Sequence, residues 1–256
     1  MQLSTSATLP IEPVVRQRKG EIEILTLNRP TQRNAMSCAL VASLTEALAD
    51  INEDASVGAI LLIGEGRGFC AGSDLGGLKS MTPAQKRSFE AESGRLARMI
   101  GQCVKPVVSA VHGFAVGGGL TLATSCDIVV TDAASRWSLP EVPIGLFPAW
   151  GIASVVDRIG MPAARRLSWG IETLTGAEAH RLGLADVLVD SASEVRETAL
   201  KIAGQLAALP RRQAEAVKRY FASQCADEGA DIAANNLFME MTNSPEAQAS
   251  FIRFGS

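Results

Sequence analysis

The chain has no apolar run approaching the roughly 20 residues that cross a bilayer. It also lacks any CxxC pair, and its five cysteines, Cys38, Cys70, Cys103, Cys126 and Cys225, are odd in number and widely spaced. That spacing argues against a disulfide frame or a zinc site and fits reduced thiols inside a cell. Neither sign of charge is in excess: 24 lysines and arginines face 27 aspartates and glutamates. With a pI near 5.5, nucleic acid and anionic membrane are not expected partners. The opening "MQLSTSATLPIEP" carries no basic region followed by an apolar one, so residues 1–13 read as a loose end and not a secretory leader. The expected location is the cytoplasm. Nucleotide loops are missing too. "GEGRGF" (64–69) and "GGG" (117–119) do not complete GxGxxG, and GxxxxGK[ST] is absent.

What is present is a chain of 256 residues, enough for one large domain that buries about three quarters of its surface. Through its first three quarters, strand-like and helix-like segments alternate. "EIEILTL", "GAILLIGEG", "KPVVSAVHG" and "CDIVVTD" are short and rich in β-branched residues, which predicts buried strands. After Ser37, apolar residues at 40, 41, 44, 47, 48 and 51 fall on one helical face, with Ser37 as the N-cap. Thr82-Pro83 reads as a cap followed by an N1 proline. The alternation predicts an α/β core over residues 14–192. From 193 to 256 the pattern is helical only, broken at Pro210, near Asp227-Glu228-Gly229 and at Pro245.

The three glycines in "VGGGLTLATSCDI" (116–128) precede a short apolar helix. A tight turn needs one or two. Three in a row let a ligand approach bare backbone where N–H groups point outward, a setting suited to an oxyanion that exists only during reaction.

Four segments, "LNRPTQRNAMS" (27–37), "GFCAGSDL" (68–75), "VHGFAVGGGLTLATSCDI" (111–128) and "WSLPEVPIGLFPAWG" (137–151), resemble in order and spacing the motifs of the crotonase family, the enoyl-CoA hydratase/isomerase superfamily. "TGAEAHRLGLADVLV" (175–189) continues the resemblance. It implies a spiral of β-β-α turns with a C-terminal helical oligomerisation region, assembled as a homotrimer or a dimer of trimers. It implies an acyl-CoA substrate, with coenzyme A part of that substrate and no separate cofactor or metal. The thioester oxygen would sit in an oxyanion hole of two backbone N–H groups, those of Ser73 and Gly118. Ala71, Gly72, Asp74 and Leu75 would lie along the acyl-CoA, and Arg29 and Arg33 are candidates for its phosphates. Arg253 is a substitute for the basic residues that usually close the family's chains.

Hydratases of this family carry two glutamates, one two residues after the glycine triplet and one about twenty residues later. Here the second is Glu141 in "LPEVP", and the first position holds Thr121, which is neither acid nor base near neutral pH. A single carboxylate suits a different reaction. It can take a proton from C2 and return it to C4 on the same face, so the expected activity is Δ3,Δ2-enoyl-CoA isomerisation with Glu141 as the shuttle. The alternatives are hydration or another crotonase reaction, and a non-catalytic acyl-CoA-binding member. Trp150 is either core or a wall of the acyl pocket beside Thr121. Ala149 argues against a reaction needing a carboxylate nucleophile in that loop. Ser73 has no histidine–acid partner nearby and is not expected to be a nucleophile. His112 and His180 read as structural.

Overall fold

A computed structural model of the protein describes residues 12–222 and 228–254. The expectation of a loose segment over residues 1–13 therefore lies almost wholly outside the described residues. So does Cys225.

The main sheet has six strands in the order β1-β2-β3-β4-β6-β9: Val14–Lys19, Ile22–Leu27, Ala59–Gly64, Val107–Val111, Ile128–Asp132 and Val187–Val189. Only β1 runs antiparallel to its neighbour. The rest are parallel, with Leu61 opposite Val108 and Val108 opposite Ile128. Strand β3 reads "AILLIG" and is buried throughout, as a parallel strand covered on both faces must be. A second, three-stranded sheet joins β5 (Phe114–Val116), β7 (Arg136–Ser138) and β8 (Leu174–Thr175). The segments predicted as strands, 21–27, 58–66, 105–113 and 126–132, each contain one, shorter at the ends, whereas β1 and the small sheet are not evident from the pattern.

The first long helix, α1 (Cys38–Glu53), starts where Ser37 Oγ accepts the Leu40 N–H, and it buries Leu40, Val41, Leu44, Ala47, Leu48 and Ile51. Then come α2 (Leu75–Ser80) and α3 (Pro83–Gln102), the latter opened by Thr82 and Gln85 in a reciprocal capping box. The short α4 (Gly118–Thr124) follows the glycine turn, and α5 (Ile152–Ser168) bends at Gly160 and Pro162. Helix α6 (Gly176–Leu182) leads through β9 to α7 (Ala192–Ala207). The chain ends in α8 (Arg211–Ala222), α9 (Glu228–Met241) and α10 (Pro245–Phe254).

Two apolar layers result. One lies between the main sheet and α1, α3 and the small sheet, around Leu25, Leu62, Phe69 and Trp137. The other lies on the opposite face, where Val195, Ala199, Ala203 and Ala207 of α7 pack on Ile24, Leu61, Val108 and Val130. The small side chains bring α7 close: a Cβ on Gly58 would sit 2.9 Å from Ala207. Helix α7 thus covers the sheet, although the all-helical pattern assigns it to the region after residue 192. The last helices also return to the core. Lys218 of α8 binds Asp127 at 2.9 Å. Arg98 of α3 pairs with Asp231 of α9, and Lys86 places its ammonium 4.3 Å from the ring centre of Phe251 on α10. No helix among the described residues is long and apolar enough to cross a membrane.

Candidate active site

The segment before α2 is stitched into place from both sides. Met36 N–H donates to Gly72 O, Asp74 N–H donates to Met36 O, and Val116 N–H donates to Cys70 O. This pairing engages the flanking groups and leaves the Ser73 N–H with no acceptor among the described residues. The Gly118 N–H, at the start of α4, has none either. The two segments touch: a Cβ on Gly72 would lie 3.2 Å from the Gly118 nitrogen.

Each of the three glycines meets a different neighbour. Gly117, with φ of +55°, lies under Glu141, whose Oε1 would be 2.6 Å from a Cβ there. A Cβ on Gly118 would sit 2.9 Å from Trp150 Cζ2, and one on Gly119 would sit 2.3 Å from the Cys70 carbonyl oxygen. The triplet therefore leaves backbone bare and also admits a carboxylate and an indole ring.

These elements enclose a cavity of about 270 Å³. Ala71, Gly72, Ser73, Leu75, Gly118, Thr121, Glu141 and Trp150 all line it, so most of the expected site converges. Leu78, Ile144, Leu146 and Phe147 add apolar wall, and Phe238 of α9 and Phe254 of α10 close it from the chain's last helices. Trp150 is both core and wall. It is 3% exposed, and its indole N–H points into the site.

Glu141 ends its strand-to-turn step with Oε2 out of contact with solvent and without a hydrogen-bond partner. Burial pushes its carboxyl up to about 7, against the pull of a backbone hydrogen bond. It is not alone. Glu90, on the buried face of α3 and 2% exposed, also lines the cavity. Its Oε2 accepts the Trp150 indole N–H at 2.9 Å, and the Ser73 hydroxyl reaches Oε1 at 3.4 Å. Burial raises its carboxyl to about 7 as well; the two hydrogen bonds pull it down and the charge of Glu141 pushes it up. The expectation of one carboxylate is therefore corrected: the pocket holds two. A signal was present in the sequence, because Glu90 falls in phase with Phe89, Leu96, Ala97 and Ile100 on the apolar face of α3.

Other expected residues lie elsewhere. Asp74 caps α2, accepting the Gly77 N–H at 3.1 Å, and it pairs with Arg29 at 2.9 Å. Arg29 also donates to the Ala35 carbonyl, so both side chains are engaged in holding the loop and not free along a ligand. Arg33 is exposed, in a groove it shares with Arg67 and Arg136. That groove runs into the cavity through Ala71, Val116 and Arg136, and none of the three guanidinium groups has an ion-pair partner among the described residues. Arg67 and Arg136 were not singled out by the sequence. Arg253 is exposed, with its guanidinium 5.0 Å from the Phe254 ring centre. His112 bonds to the Gly66 carbonyl and His180 to the Ala185 carbonyl, in line with structural roles. No group of three metal-ligating side chains occurs among the described residues.

The sequence model of the enoyl-CoA hydratase/isomerase family matches residues 17–255. A short-chain-enoyl-CoA hydratase of Clostridium acetobutylicum is 32% identical over 200 residues, covering 77% of this chain and 76% of the relative. A probable enoyl-CoA hydratase of Mycobacterium leprae is 34% identical over 217 residues, covering 82% of each. Among solved structures, an enoyl-CoA hydratase of Mycobacterium smegmatis superimposes with a TM-score of 0.78 at 27% identity, over 94% of this chain and 96% of that one.

Proposed function

Given that the chain belongs to the enoyl-CoA hydratase/isomerase family, we propose that it moves a proton on an enoyl-CoA thioester, converting the 3-enoyl to the 2-enoyl form. The observation that carries this reading is the state of Glu141. Glu141 lines the cavity, its carboxyl has one oxygen shielded from solvent and without a hydrogen-bond partner, and it is poised at about 7 beside two unused backbone N–H groups. A base poised near the working pH takes up a proton readily in the transition state.

The thioester oxygen accepts the N–H groups of Ser73 and Gly118. Glu141 takes a proton from C2, and the electron pair of that bond delocalises onto the thioester oxygen. Preorganised backbone donors stabilise the charge without reorganising; loss of one such donor costs roughly 3–4 kcal/mol in other enzymes. A proton then returns at C4, and the electrons close the C2–C3 double bond. The apolar walls keep water from competing for the dienolate. The exposed arginines at 33, 67 and 136 would meet the phosphates of the coenzyme A portion, which makes the groove the route by which the thioester enters.

Hydration of 2-enoyl-CoA is the second reading. Glu90 favours it, because adding water requires an acid and a base together, and the Clostridium and Mycobacterium relatives are named as hydratases. A panel of 2-enoyl, 3-enoyl and aryl CoA thioesters followed by mass spectrometry separates the two. Conversion of 3-enoyl-CoA with no water added to 2-enoyl-CoA supports isomerisation. Rapid hydration of 2-enoyl-CoA overturns it, and tight binding with no turnover indicates a non-catalytic binder. For assembly we propose a trimer or a dimer of trimers, supported by the exposed Val217 and Phe221 of α8 and Ile232 and Leu237 of α9; light scattering tests it.

A further inference from the structure

A carboxyl group on the buried face of a helix is costly unless it is paired or used. Glu90 has no cation beside it. Lys86, one turn earlier, lies over the Phe251 ring; Arg98, two turns later, is held by Asp231 of α9; Lys218 of α8 binds Asp127 and the Ile100 carbonyl. On the far side of α3, Glu92 and Arg95 face a separate groove with Glu46 of α1. Arg136 stands at the mouth of the cavity and not against the carboxyl. The charge that acts on Glu90 is that of Glu141, another carboxylate. What holds Glu90 is a pair of neutral donors, and both belong to the site: the Trp150 indole and the Ser73 hydroxyl.

We propose that Glu90 is a second catalytic residue of this site, a proton donor and acceptor delivered from α3 in the role that Thr121 on α4 cannot fill. The proposal rests on the acyl-CoA reading above. Glu90 contacts the residue whose backbone N–H receives the thioester oxygen, so its carboxyl lies beside the reacting atoms. Glu141 approaches from the turn over Gly117. Burial disfavours the charge on each carboxyl, and the charge of Glu141 adds to that effect on Glu90, so near neutral pH the pocket holds one carboxyl protonated beside one ionised. One acid and one base are then present together. In the forward reaction the Glu141 carboxylate takes the C2 proton, and neutral Glu90 gives its own proton to C4 as the C2–C3 double bond closes. The pair ends with the proton on Glu141 in place of Glu90, and exchange with solvent restores the starting state. In hydration the same pair would activate water and protonate C2.

The test uses the full-length protein with Glu90→Gln and Glu90→Asp. Glutamine keeps an acceptor for the Trp150 N–H and removes the proton, so a merely positioning role survives it. We expect Glu90→Gln to lower kcat at least about 10²-fold with little change in KM, and to abolish one limb of the pH–rate profile, with partial rescue by aspartate. In deuterated water the wild type places solvent deuterium at C4, whereas a lone Glu141 shuttle would carry the C2 hydrogen across. A Glu90→Gln variant with unchanged kcat, pH profile and label pattern overturns the proposal. If that variant does not fold, Trp150→Phe serves: losing the indole donor raises the Glu90 pKa and moves its limb to higher pH, and an unmoved limb overturns the proposal. Carboxyl NMR titration needs no substrate. Glu141→Gln should lower the midpoint of Glu90, and an unchanged midpoint overturns the coupling of the two carboxyls. Wild-type protein that turns over no enoyl thioester, yet shows the titration shift, overturns the acyl-CoA reading and leaves the pair standing.

Discussion

Thr121 and Gly151 meet so closely that a Cβ on Gly151 would lie 2.6 Å from the Thr121 Cβ. Thr121 is also 1% exposed, and its hydroxyl donates to the Gly118 carbonyl at 3.1 Å. From sequence, a glutamate here looks tolerable, because it would stand near a helix start where negative charge is favoured by about 0.3–1 kcal/mol. The surroundings reverse that expectation. Thr121 lines the cavity, so Thr121→Glu sends a longer side chain into it and adds a third carboxyl beside Glu90 and Glu141, which lowers stability by about 1–3 kcal/mol. Thermal melts check this. The variant should also fail to raise hydration of crotonyl-CoA, because the second carboxyl is already supplied from α3.

Gly118→Val should cripple both binding and catalysis. The Cβ alone would lie 2.9 Å from Trp150 Cζ2, and the two branches add bulk beside the unused N–H. Moving Trp150 also releases the indole N–H from Glu90. We expect KM to rise and kcat to fall together, read by steady-state kinetics on protein shown to be folded by circular dichroism.

How much of this was legible depended on whether a residue's role lies in its local pattern. Ser37 as a cap and the buried face of α1 follow from helical periodicity alone, and both appear as read. The sheet order and the pairing of Met36 with Ser73 are long-range, and only the motif resemblance pointed toward them. Strand β1 escaped notice because a single residue of its six is buried, so it carries no alternation. Glu90 lies outside every motif segment, and its own signal is a single acid in an apolar helical phase. Arg29 and Asp74 looked like ligand contacts by position; each is satisfied by the other.

That pairing separates two classes of arginine. Arg29→Ala should lower stability by about 1–2 kcal/mol, through loss of a charged pair and its bond to the Ala35 carbonyl, with a smaller effect on KM. Arg67→Ala with Arg136→Ala should do the opposite. Both are exposed and without an ion-pair partner among the described residues, so melting is unchanged. KM for the thioester rises about 2–10-fold, the scale of two exposed ion pairs, and the difference from wild type shrinks as salt is added. A salt-independent KM in the wild type would remove the groove from the binding route.

Glu141→Gln separates activity from stability. Turnover should fall at least about 10²-fold with little change in binding, since glutamine keeps the shape and removes the base. Stability moves the other way, and its sign follows from the raised pKa. The folded protein holds the Glu141 proton up to about 7, whereas an unfolded glutamate releases it near 4.3. Between those values the folded state binds more protons, so wild-type stability declines as pH rises and levels off above about 7. Glutamine has no such loss. The variant should match the wild type near pH 3, where the carboxyl is neutral in both states, and exceed it at pH 8 by on the order of 3 kcal/mol. Urea melts at the two pH values measure the difference. Equal stability gains at both would place the Glu141 carboxyl in contact with water, and its role as the poised base would fall with it.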